Sequence, residues 1–194
     1  MMLNRYLNRQ TSLTAALAAF AVAFAAVAFA ASNADIDTRV ADTLNRFYSQ
    51  SDQHRELAQK ASAILVFPRI TKAGAGVGGE FGEGALQVGG RTVGYYKVTG
   101  GSIGATLGAA RHSEVILFMT DAARDHFMNS RDWSVGADAS VAVVRKGAGG
   151  EYDTETLRKP VLAFVFGERG LMGDVSLEGA KVSRLASASG AQAQ

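Results

Sequence analysis

Ile64-Leu65-Val66-Phe67-Pro68, then Lys72-Ala73-Gly74-Ala75-Gly76-Val77-Gly78-Gly79-Glu80-Phe81-Gly82-Glu83-Gly84, is the stretch that decides the fold. The apolar run closed by Pro68 reads as a short buried strand. The glycines after it are interleaved with apolar and acidic residues, so they belong to a folded chain rather than to a linker. Residues 74–79 match G-x-G-x-x-G, but a dinucleotide site needs a helix to open there, and Glu80-Phe81-Gly82-Glu83-Gly84 follows instead. Acids at that point would also repel a phosphate. Glycines inside strands mark tight bends or close backbone approach, and a strongly curved sheet uses them for that.

Working outward, residues 36–48 carry a helical period. Ile36, Val40, Leu44 and Phe47 share one face, with Arg39 and Arg46 off it. Ser51 or Asp52 can cap a second short helix through Leu57 and Ala61. On the other side, Gly89-Gly90 reads as a hairpin turn before a strand from Arg91 to Val98. The segment around Gly100, Gly104 and Gly108 reads as a glycine-bent strand, and Glu114 to Met119 as an apolar one. Thr120-Asp121 opens a short helix to Met128. Trp133 to Val144 alternates, placing Trp133, Val141 and Val143 on one face, and Val161–Phe166 and Val175–Leu177 supply further strands. The expectation is an α+β domain: N-terminal amphipathic helices packed on an antiparallel, glycine-rich, curved sheet, a sandwich or small barrel, with one short inserted helix.

Residues 1–34 read as a cleavable signal peptide, cut after Ala34 or alternatively after Ala30, with an uncleaved anchor as the competing reading: Arg5 and Arg9, an apolar middle from Leu13 to Ala31, and a small-residue exit before Asp35. Residues 35–185 would then be the domain and 186–194 a frayed tail. This predicts a periplasmic or secreted protein. All 22 glycines lie after residue 34. Of the 20 Lys plus Arg, Arg5 and Arg9 fall within the leader, so the rest of the chain has as many bases as its 18 acids. A neutral domain argues against nucleic acid as a partner. With no cysteine there is no disulfide, no thiolate metal site and no lipidated cysteine.

Other motifs are weaker. Gly100-Gly101-Ser102-Ile103-Gly104 matches a nucleophile elbow, but the alternating strand and helix order it requires is missing. The histidines His54, His112 and His126 show no metal-ligand spacing; Asp121, Asp125 and His126 share a short helix and could touch a cation, but a solvated helix face is the commoner meaning of such a group. No cofactor, metal or catalytic residue is expected.

Taken together, the ordered motifs resemble the SYLF domain. Ile64-Leu65-Val66-Phe67-Pro68, Lys72-Ala73-Gly74, Gly78-Gly79-Glu80 and Gly82-Glu83-Gly84 are similar to its opening. Gly94-Tyr95-Tyr96, Ser102-Ile103-Gly104, Leu117-Phe118-Met119-Thr120 and Trp133-Ser134-Val135-Gly136 follow in order. Gly170-Leu171-Met172-Gly173 and Ser176-Leu177-Glu178-Gly179 are similar to its close. The resemblance implies a lipid-binding module rather than an enzyme, with actin binding known among eukaryotic relatives. For an exported member it implies an envelope partner: a membrane phospholipid, of phosphoinositide type in those relatives, or an acyl ligand, with a protein partner as the alternative. Of the family's lipid-contacting segment the resemblance carries over the amphipathic pattern, onto Ile36, Val40, Leu44 and Phe47 for apolar insertion; beside it, Arg39, Arg46, Arg69 and Lys72 are expected near phosphate.

Overall fold

The computed structural model describes residues 32–134, 141–144, 157–170 and 180–185, and the backbone alone at 75–77, 102–107 and 170. The strand expected at 175–177, the tail at 186–194 and the leader up to residue 31 lie outside the described residues. Those described form three helices and six strands: α1 (Asn33–Gln50), α2 (Asp52–Lys60), β1 (Ala63–Val88), β2 (Arg91–Phe118), α3 (Asp121–Asn129), β3 (Asp132–Ser134), β4 (Val141–Val144), β5 (Val161–Gly170) and β6 (Lys181–Arg184). They make one sheet in the order β3-β6-β2-β5-β4, with β1 also paired to β2. The expected α+β architecture is what is found, with one difference in sheet sense. The pair β4–β5 runs parallel, while the other pairs are antiparallel.

Two very long strands replace the several short ones that the sequence suggests. The chain does not leave the sheet at Pro68 or along the glycine-rich run, because β1 and β2 pair from Ala63↔Phe118 to Val88↔Arg91. Proline lacks a ladder donor and is tolerated at a bulge, and Pro68 stands where the register shifts between Phe67 and Ile70. β5 shifts register against β2 opposite the same point, between Arg111 and Ser113. Gly167 there has φ 68°, the left-handed region that suits a bulge glycine. Ser113 of β2 thus lies between two bulges, and its hydroxyl donates to the Pro68 carbonyl of the first at 2.8 Å.

β1 bends far enough for its second half to cross its first. A β-carbon on Gly84 would lie 2.7 Å from Phe67 Cδ1 and 2.9 Å from the Val66 carbonyl carbon. One on Gly82 would lie 2.8 Å from the Arg69 carbonyl oxygen. These glycines exist for close backbone approach. The turn Gly89-Gly90 reverses the chain with φ 56° and 76° at its two residues, as a tight hairpin requires.

The sheet buries both faces, which explains the unbroken apolar runs of its central strands. On the inner face Leu65, Phe67, Ile116, Phe118, Val161 and Ala163 join Tyr96, Val98 and Val182, closed by Phe127 of α3 and by Trp133. Phe127 and Trp133 meet edge to face at 5.4 Å. On the other face Val66, Val115, Leu117, Leu162 and Phe164 are buried, and the Phe47 ring of α1 meets Phe164 at 5.0 Å. β4 departs from the expected phase: Val144 is buried, while Val143 is exposed. Helix starts follow the sequence closely. The Ser51 side chain accepts from the Gln53 N–H at α2 and that of Thr120 from the Ala123 N–H at α3.

Candidate functional site

Helix α1 is the first element to place, because it holds most of the residues expected to touch lipid. Ile36, Val40, Leu44 and Phe47 are all buried, with Val40 and Phe47 at 0% exposure. The amphipathic face is therefore spent on the sheet. Both ends of the helix are latched as well. Near its start Asp37 accepts from Thr92 Oγ1 at 2.8 Å and from the Tyr95 hydroxyl at 2.7 Å. That bond raises the Tyr95 pKa, since it holds the phenol as a donor. Toward its end Arg46 donates to Thr43 Oγ1 at 3.0 Å and to Ser113 Oγ at 3.3 Å, and it lies over the Phe166 ring at 5.9 Å. Arg46 is thus a clamp between α1 and the double bulge. Arg39 remains exposed on α1.

The structure does not gather the remaining two expected cations into one site. Arg69 is exposed at the β1 bulge. Lys72 is half-buried and close enough to Glu80 and His112 to bias both titrations.

Beside Arg69 lies a feature not anticipated from the sequence. Arg111 of β2 and Arg169 of β5 are direct partners in the antiparallel register. Thr71 of β1 stands across from Arg111 on the other side, and Arg69 lies two positions before Thr71. Arg69, Arg111 and Arg169 are exposed, and none of the three is a member of the ion pairs that Arg124 makes with Asp121 and Asp125. Like charges directly across a ladder destabilise it. The two arginines lie 58 positions apart in the chain, and a bulge sets their register, so no local motif announces them.

A second polar group lies on the inner face. His112 and Glu114 are two residues apart on β2 and so share a face. They are 3% and 1% exposed. Both ring nitrogens of His112 and Oε1 of Glu114 have no hydrogen-bond partner. Burial, and then the charge of Glu80, push the Glu114 pKa up to about 8. Burial, and then Lys72, bring His112 down to about 4. Burial also raises Glu80, against the opposing pull of Lys72. At neutral pH this cluster thus holds a protonated acid and a neutral imidazole.

The enzyme-like motifs fall in plain strand. Residues 74–79 lie within β1 and Ser102 pairs with Gly78 in the β1–β2 ladder, whereas each motif requires a strand-to-helix turn. Asp121 and Asp125 both pair with Arg124, at 2.9 and 2.8 Å, and no group of three potential metal ligands occurs among the described residues. No helix among those residues is long and apolar enough to cross a membrane.

A family model described as Ysc84, Las17-binding protein actin regulator, matches residues 99–191. The matched segment contains Arg111 and Arg169, whereas the eight residues first expected to touch lipid all precede it. No curated protein matches the chain.

Proposed function

With a Ysc84-type (SYLF) family domain over residues 99–191 as the premise, we propose that this protein is a non-enzymatic, exported module that binds anionic phospholipid surfaces. Its family is one of actin- or lipid-binding domains. The observation that carries the lipid reading is the rung of facing Arg111 and Arg169 with Arg69 beside it. Three exposed guanidiniums without acid partners lose repulsion when phosphates sit between them, and arginine suits that task through bidentate bonding. The α1 face does not insert into the bilayer in this reading, because it is committed to the core. The leader-like residues 1–34 support export, and an envelope lipid is the partner that export would supply.

Flotation of residues 35–194 with neutral and anionic liposomes tests the proposal. Binding to anionic vesicles that weakens with salt is expected, since exposed charges are screened within about 8 Å at physiological ionic strength. No flotation on anionic vesicles would sink it.

A second reading is a domain that binds a protein. The family model's description as an actin regulator favours it. Flotation failure combined with capture of a defined envelope protein would establish that reading.

A further inference from the structure

A separate cleft of about 480 Å³ opens where the two ends of β1 approach each other. Because β1 crosses itself, its first residues come to lie near its last, and α2 and the hairpin turn stand on either side as jaws. β1 pairs with β2 alone, so this is the place where the curled sheet is not closed by a ladder among the described residues. The floor is small and apolar, made by Ala58, Ala61, Ala63 and Ile64. The rim carries Tyr48, Arg55, Gln59 and Gln87, with the backbone of Gly89 and Gly90.

The chemistry of this lining is one-sided. It holds a guanidinium, two amides and a phenol, and no carboxylate. Arg55 is exposed and makes no ion pair among the described residues. Burial raises the Tyr48 pKa, so its hydroxyl stays a donor. The volume falls within the range of small-molecule sites, about 300–1,000 Å³. A rim of donors with one cation over an apolar floor suits a ligand with an anionic head and a hydrocarbon body.

We propose that this cleft binds a single-chain amphipathic anion, its carboxylate or phosphate held by Arg55 and its first methylenes laid on Ala58, Ala61 and Ile64. The site lies apart from the Arg111–Arg169 rung and takes a monomeric amphiphile rather than a bilayer surface, so either reading can fail without the other.

The test is calorimetric titration of the purified protein with decanoate and with decyl phosphate, each below its micellar concentration, and with decanol. Saturable binding of at least one anion is expected, and the tighter of the two identifies the head group. Arg55→Gln should weaken it about tenfold or more, the loss of a charge-assisted hydrogen bond. Ala61→Trp should abolish it by filling the cleft, and Arg131→Gln should leave it unchanged. Should Ala61→Trp fail to fold in a thermal melt, Arg55→Gln, an exposed change, carries the test. The proposal is overturned by absence of saturable binding to either anion, by wild-type affinity in Arg55→Gln, or by decanol binding as tightly as the anions. Anion binding that Arg111→Gln with Arg169→Gln removes, and Arg55→Gln spares, would also overturn it while leaving the membrane-surface reading in place.

Discussion

Replacing Glu114 by glutamine should change how the stability of this protein depends on pH. Glu114 is 1% exposed, opposite Phe67 in the β1–β2 register, with a carboxyl pKa near 8. Unfolded, the same group titrates near its ordinary value of 4.5. Between those values the native state holds a proton that the unfolded state has lost, so stability falls as pH rises, by about 1.4 kcal/mol per pH unit. His112 acts in the opposite direction over a lower window. Its native pKa is about 4 against 6.5 unfolded, so the unfolded state holds the extra proton and stability climbs with pH between those values. The two slopes oppose each other from about 4.5 to 6.5, and the raised pKa of Glu80 adds a fall that begins above its ordinary value of 4.5. From 6.5 to 8 the Glu114 effect stands without the His112 offset. That window amounts to about 2 kcal/mol. Urea unfolding from pH 5 to 9 should show this decline in the wild type. In Glu114→Gln, a neutral side chain of the same shape, the decline from 6.5 to 8 should vanish, and below 6.5, where the wild type has no net climb, the His112 contribution should be left without the Glu114 offset. A wild type that is flat from 6.5 to 8, or a variant that keeps the full decline, would refute the reasoning.

Other outcomes follow from packing. Gly84→Ala should destabilise by about 1–3 kcal/mol or more in chemical denaturation, because its methyl overlaps the Val66 carbonyl where β1 crosses itself. Phe47→Ala should cost about 3–5 kcal/mol, and Leu44→Ser with Phe47→Ser should unfold the domain in far-UV circular dichroism rather than selectively remove lipid binding. Ser51→Ala should cost about 1 kcal/mol in a thermal melt through loss of the α2 cap. Arg111→Gln should leave stability unchanged or raise it slightly, since it relieves the repulsion with Arg169.

Much of the architecture was legible in local patterns. The period of Ile36, Val40, Leu44 and Phe47 gave α1 and its buried face, Ser51 and Thr120 marked helix starts, and Gly89-Gly90 marked the hairpin. Strand length was not legible. Pro68 and the glycines look like breaks to a local reading, yet the ladder runs through them, because a bulge accommodates the proline and glycines allow the sheet to bend without leaving it. The parallel β4–β5 pair depends on a long-range choice of partner that no short window encodes. The site was less legible still. Apolar periodicity cannot distinguish a face that meets lipid from one that meets a sheet; in this structure the α1 face packs on the sheet. Arg46 was expected near phosphate, yet Ser113 and Phe166 lie within its reach. Arg111, Arg169 and the His112–Glu114 pair acquire meaning from register and burial, and neither can be read from residue spacing.

The most direct test of the account is flotation of Arg111→Gln with Arg169→Gln beside the wild type, both as residues 35–194, on anionic and neutral liposomes at low and high salt. The account requires wild-type binding to anionic vesicles that high salt weakens, and its loss in the double variant while the fold is retained. Equal flotation of the two proteins would contradict it, removing the arginine rung from membrane binding.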